Sequence, residues 1–185
     1  MAAAEQQLRP DAIFEVAMGF MASKHLFVAN EIGLFTALAE GPATLEQLAE
    51  RAGVPARTAR IIADTMVALR FLEREQDGAY RNGALADSFL SGRGPMNMGP
   101  MLRFLNAIGY PTWLGLERAV RTGEPAREAL SEEQQAIFSE GVEAFSKGAA
   151  HALAEAYDFD RRRRARRYRC TRLRRGTARA ARGRR

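Results

Sequence analysis

The sequence is short of the residues that most enzymatic and metal chemistry uses. It has one cysteine, Cys170, and two histidines, His25 and His151. One thiol closes no disulfide, and with two imidazoles it builds no metal cluster; the pattern predicts no bound metal and fits a reducing cytoplasm. No uncharged run approaches the ~18 residues that span a bilayer. The first ten residues have no apolar signal centre, so a cytoplasmic chain with no membrane partner is expected. No apolar strand leads into a glycine-rich turn, which excludes a Rossmann-type cofactor site. The lone Gly92-Arg93-Gly94 follows helical sequence instead. Strands never alternate with helices, and no nucleophile–base pair stands out. No catalytic, cofactor-binding or metal-ligating residue can therefore be named.

Positive charge is also absent from most of the chain. The formal net charge is +6, yet 14 of the 28 basic residues are arginines between 161 and 185, where there is no acid and no lysine. Residues 1–160 therefore carry 14 basic and 22 acidic residues, about −8. The two regions are different polymers joined near Asp160. The second, poor in apolar residues and strongly self-repelling, is expected to be disordered. Residues 1–9 are expected to fray.

What is present between 10 and 159 is almost entirely helical pattern. Pro10 and Asp11 open a first helix, whose residues from Ile13 to Val28 are apolar nearly all round. Such a helix suits either a core centre or an interface shared by two copies. Asn30 to Leu38 reads as a second short helix, ending at Gly41-Pro42. Thr44 and Gln47 have capping-box spacing, Leu45, Leu48 and Ala49 make one face, and Gly53 suits a left-handed helix end. Pro55 suits the first turn of the next helix, where Ala59, Ile62, Ala63, Met66 and Leu69 recur at helical spacing. Phe71-Leu72-Glu73, the turn Gln76-Asp77-Gly78 and Ala79-Tyr80-Arg81 form a hairpin. Helix, turn, helix and two-stranded wing predict a mainly α fold: a winged helix-turn-helix with extra N- and C-terminal helices. After it, Leu85–Leu90 is a short helix. Two apolar, aromatic helices follow over 96–121, divided at Tyr110-Pro111. Ser131 caps another, Lys147-Gly148 allows a break, and Ala149–Tyr157 is the last.

A winged helix often reads DNA. Here the recognition helix would expose Arg57, Thr58, Arg60 and Asp64, and the wing mixes Arg74 and Arg81 with Glu73, Glu75 and Asp77. That is thin ground for phosphate contacts, and a net charge near −8 opposes them. A DNA-binding regulator with a basic tail is the alternative reading. DNA is otherwise expected to bind only non-specifically through the arginines after 160.

Three stretches carry a resemblance: Phe20-Met21-Ala22-Ser23-Lys24, Asn30-Glu31-Ile32-Gly33-Leu34-Phe35, and Gly41 through Ala49. With Tyr110 through Glu117, Arg121 through Pro125 and Phe138 through Ala144, they resemble the N-terminal domain of S-adenosylmethionine-dependent small-molecule O-methyltransferases. The likeness is to the acetylserotonin and bacterial polyketide-tailoring kind, over roughly residues 11–159. It implies a winged helix that interlocks two subunits and covers part of the acceptor pocket rather than reading DNA. It places Phe14, Met18, Phe20, Met21, Phe27, Leu34 and Phe35 at a homodimer interface. Met101, Phe104, Leu105, Trp113 and Phe145 would face an acceptor, an aromatic or polyketide-like hydroxyl compound that binds only with the catalytic domain.

In the family, a strand and a glycine-rich S-adenosylmethionine loop follow a Tyr-Asp-Phe-like segment. Here Tyr157-Asp158-Phe159 is followed by Arg161-Arg162-Arg163-Arg164. No position matches a cofactor or catalytic residue of the family, so this chain is expected to bind no S-adenosylmethionine and to be inactive alone. The arginine, alanine and glycine bias after 160 reads as GC-rich DNA translated out of frame, a truncation before the catalytic domain. The other reading is a genuine basic arm for nucleic acid or acidic lipid.

Overall fold

The structure is a computed structural model that describes residues 9–125 and 129–157. The expectations for residues 1–8 and for the arginine-rich region after 160 lie outside the described residues. The chain divides into two units, Met1–Phe145 and Ser146–Arg185.

The first unit is mainly α with one small sheet. Helix α1, Asp11–Glu31, ends at Gly33, whose φ of 70° turns the chain into a single-turn helix α2, Leu34–Ala37. The expected helix from Asn30 to Leu38 is thus split, because the left-handed turn at Gly33 ends one ladder before the next begins. Helix α3, Leu45–Ala52, starts in the anticipated capping box: Gln47 N–H donates to Thr44 Oγ1 (3.3 Å) and Thr44 N–H to Gln47 Oε1 (3.0 Å). It ends at Gly53 with φ 65°. Pro55 then precedes helix α4, Ala56–Ala68, as its N-cap rather than in its first turn. Strands β1, Leu72–Arg74, and β2, Tyr80–Asn82, pair antiparallel with Glu73 opposite Arg81. A bridge from Ala43 to Tyr80 ties the segment before α3 to the wing.

The core sits between α1's second half and this wing. Phe27, Leu34, Phe35, Leu48, Met66 and Tyr80 are all buried in it. Each such side chain contributes roughly 1.5–3 kcal/mol of transfer free energy. Asn82, also buried, donates from Nδ2 to the Phe35 carbonyl at 2.9 Å and so ties the wing to α2.

Beyond the wing come α5, Ala84–Phe89, and α6, Gly99–Phe104. The chain does not divide at Tyr110-Pro111. It passes from α6 through a π-helical turn, Leu105–Gly109, into α7, Tyr110–Trp113, and Tyr110 N–H bonds the Leu105 carbonyl. Proline has no N–H to give, but at the start of a helical segment it needs none, and the widened turn makes room for its ring. The bend comes later, before α8, Leu116–Thr122.

Helix α9, Glu132–Ala156, is continuous through Gly148, where a break was expected. One glycine costs about 1 kcal/mol in a helix, too little to stop a 25-residue one. Within the first unit α9 lies close on α6. Gly141 is buried there, and a Cβ at that position would collide with the Phe104 side chain. The Phe104 ring also meets Phe138 edge-on at 5.6 Å.

Candidate functional site

The site begins with the part of α1 that the core leaves out. Ile13, Phe14, Val16, Met18, Phe20 and Met21 are between 43% and 83% exposed, whereas Phe27 and Ala29, further along the same helix, are buried. Ile13, Val16 and Phe20 form one row at helical spacing; Phe14, Met18 and Met21 form the next. The two rows cover most of the helix surface. By length and composition α1 is apolar enough to cross a bilayer, since Glu15 and Lys24 are the only charges between its ends. Its second half, however, is built into the domain core. An apolar surface of this size on a helix rooted in a folded domain is of the kind that protein interfaces use.

Of the residues expected at an interface, Phe14, Met18, Phe20 and Met21 lie in this exposed stretch. Phe27, Leu34 and Phe35 lie inside the chain's own core, at most 8% exposed, where they hold α1 and α2 against the wing. Hydrophobicity alone could not separate the two groups, because both read as apolar helix.

The expected acceptor-facing residues differ in exposure. Met101, Phe104 and Leu105 are half-buried, and Phe104 is occupied with Phe138 and Gly141. Trp113 and Phe145 are 68% and 73% exposed. Sequence reasoning missed Lys24. Its Nζ donates to Asn106 Oδ1 at 2.6 Å and stands 5.0 Å over the Tyr110 ring. The ammonium has no carboxylate partner among the described residues. An amide oxygen and a ring face take that place, and they clasp the π-helical turn to α1.

The wing side of the expected DNA-reading surface is taken up by internal contacts. Tyr80 Oη donates to Asp64 Oδ1 at 2.6 Å, and Arg74 stands 3.9 Å from the same carboxylate and 5.3 Å over the Tyr80 ring. Burial, and then the neighbouring Asp64 carboxylate, push the Tyr80 phenol above its usual range. Arg81 pairs with Glu73 and, at 3.5 Å, with Glu75. Both wing arginines are therefore engaged by acids of this same chain. Arg57 and Arg60 on α4 are exposed without an ion pair among the described residues.

The only sheet among the described residues is the two-stranded wing. In Gly92-Arg93-Gly94, Gly92 takes φ 80°, and a Cβ on Gly94 would collide with the Ser88 carbonyl. Those glycines are explained by a tight turn after α5, not by a phosphate.

The architecture defines a winged-helix interaction domain with an exposed helical seam. Residues 14–92 match the family model of the O-methyltransferase dimerisation domain. Among relatives, the chain is 37% identical over 158 residues to the tetracenomycin polyketide synthesis 8-O-methyl transferase of Streptomyces glaucescens, covering 81% of this chain and 47% of that protein. It is 37% identical over 114 residues to acetylserotonin O-methyltransferase of Homo sapiens, covering 59% of this chain and 33% of that one. The solved structure of human N-acetylserotonin methyltransferase in complex with S-adenosylmethionine superposes with a TM-score of 0.73 at 28% identity, over 85% of this chain and 51% of that one. The chain thus spans about half the length, or less, of the curated relatives it matches.

Proposed function

We propose that the exposed first half of α1 is the seam of a homodimer. We further propose that the paired domain serves as a lid over the acceptor in methyl transfer from S-adenosylmethionine to a hydroxyl of an aromatic or polyketide-like molecule. The observation that carries the first part is the exposure of Ile13, Phe14, Val16, Met18, Phe20 and Met21 on a helix whose other half is core. Covering the six side chains on each copy, twelve partly exposed side chains in all, is worth roughly 15 kcal/mol gross. That is of the same size as the cost of joining two bodies, about 4–15 kcal/mol. The seam therefore supports a dimer that responds to concentration. The substrate class is supported by the names of the relatives, one of which acts in tetracenomycin polyketide synthesis; the lid role rests on the resemblance of residues 11–159 to the family's N-terminal domain.

Sedimentation of the chain tests the seam. A dimer is expected, and Phe14→Glu combined with Met18→Glu should give a monomer with unchanged helicity. A monomeric parent chain would overturn the reading. The chain as it stands is expected not to bind S-adenosylmethionine; micromolar binding in calorimetry would count against that. The second reading, a winged-helix DNA regulator, is favoured by the two free arginines of α4. It predicts salt-sensitive duplex binding that weakens on changing Arg57 and Arg60 to Gln.

A further inference from the structure

Beside the π-helical turn is a cavity of about 480 Å³ that none of the five acceptor candidates lines. Its volume falls within the ~300–1,000 Å³ typical of small-molecule sites. Ile108, Pro111, Leu114 and Leu130 give it apolar walls, and no acid among the described residues lines it. Two of its polar side chains have donors to spare. Arg118 has no carboxylate partner among the described residues, while its neighbour Arg121 on α8 is paired with Glu117 at 2.8 Å. Gln134 uses Oε1 to accept the Ser131 N–H at 3.0 Å, which leaves its Nε2 hydrogens unpartnered among the described residues. The third, Thr112, donates its hydroxyl to the Ile108 carbonyl at 2.7 Å.

We propose that this cavity binds a small aromatic carboxylate, with the ring between the apolar walls and the carboxylate on Arg118 and Gln134 Nε2. The reasoning is one of matching. Donors with no acid partner among the described residues call for an anionic acceptor, and the planar guanidinium fork fits two carboxylate oxygens at once. The wall is also held in place before any ligand arrives. Ile108 and Pro111 face the cavity, while Asn106 and Tyr110 of the same stretch are held by Lys24 on α1. A preformed wall lowers the ordering cost of binding. This site is separate from the α1 seam and stands whether or not the chain dimerises.

The test uses 2-naphthoate against its neutral analogue 2-naphthalenemethanol, followed by calorimetry and by the fluorescence of Trp113, the chain's one tryptophan. Saturable naphthoate binding is expected, with the alcohol weaker by about tenfold or more. Arg118→Gln should abolish that difference and leave the alcohol unchanged, and Arg118→Lys should restore part of it. Arg118 is exposed, so circular dichroism should be unaltered in both variants. Three results would each overturn the proposal: equal binding of acid and alcohol, no binding of either, or naphthoate binding that survives Arg118→Gln. The last would assign the anion to the arginines after residue 160.

Discussion

Tyr80 links three parts of this fold: the wing, the segment before α3, and α4. It is fully buried, bridges to Ala43 through its backbone and holds Asp64 of α4 with its hydroxyl. Because its folded pKa is raised, the folded chain keeps a proton there that the unfolded chain loses above pH ~10. Its contribution is complete below that pH and is lost as pH rises towards the folded value. Urea melts from pH 7 to 11 should show this alkaline loss, and Tyr80→Phe should remove it at a cost of about 1 kcal/mol at pH 7. Gly141→Ala should cost roughly 1–3 kcal/mol, since the new methyl must displace Phe104. Arg70, the one non-glycine residue with positive φ among those described, at 63°, makes the opposite case. Arg70→Gly should raise the melting midpoint, by the equivalent of about 1 kcal/mol. Tyr80 and Gly141 were not legible as special in the sequence, because each is defined by a neighbour distant along the chain; Arg70 is set locally, just past the end of α4, but an arginine does not mark a left-handed position.

At the scale of elements, local chemistry was readable where a motif closes on itself. The Thr44–Gln47 box, the left-handed Gly53 and the turn at Gly78 are set by residues within four positions of one another, and they stand where their spacing puts them. Thr44→Ala should cost about 1 kcal/mol in thermal or chemical melts. The π-helical turn was not readable. It widens one turn of an apolar helix without changing composition, and what holds it is Lys24, 82 positions from Asn106. Lys24→Met should keep α1 intact while loosening Leu105–Gly109, seen as faster amide exchange confined to that turn and α7. The α1 stripe was readable as apolar but not as two parts. Which half belongs to the core depends on where α4 and α6 pack.

For the whole molecule, average charge is a poor guide. The described domain spends its wing arginines on its own acids, and the surplus of positive charge lies after residue 160. The full chain should therefore bind duplex DNA without sequence preference, with affinity falling steeply with salt. On the dimerisation-domain reading, Arg57→Gln with Arg60→Gln should leave that binding unchanged in a fluorescence titration.

The half-rooted α1 has one more consequence. If its front turns are covered by a second copy, as proposed above, the protein's lifetime depends on its abundance. When the protein is scarce, those turns stay bare and open to proteases and chaperones; as it accumulates, mass action protects them. Synthesis rate then sets how fast each molecule is removed as well as how many are present.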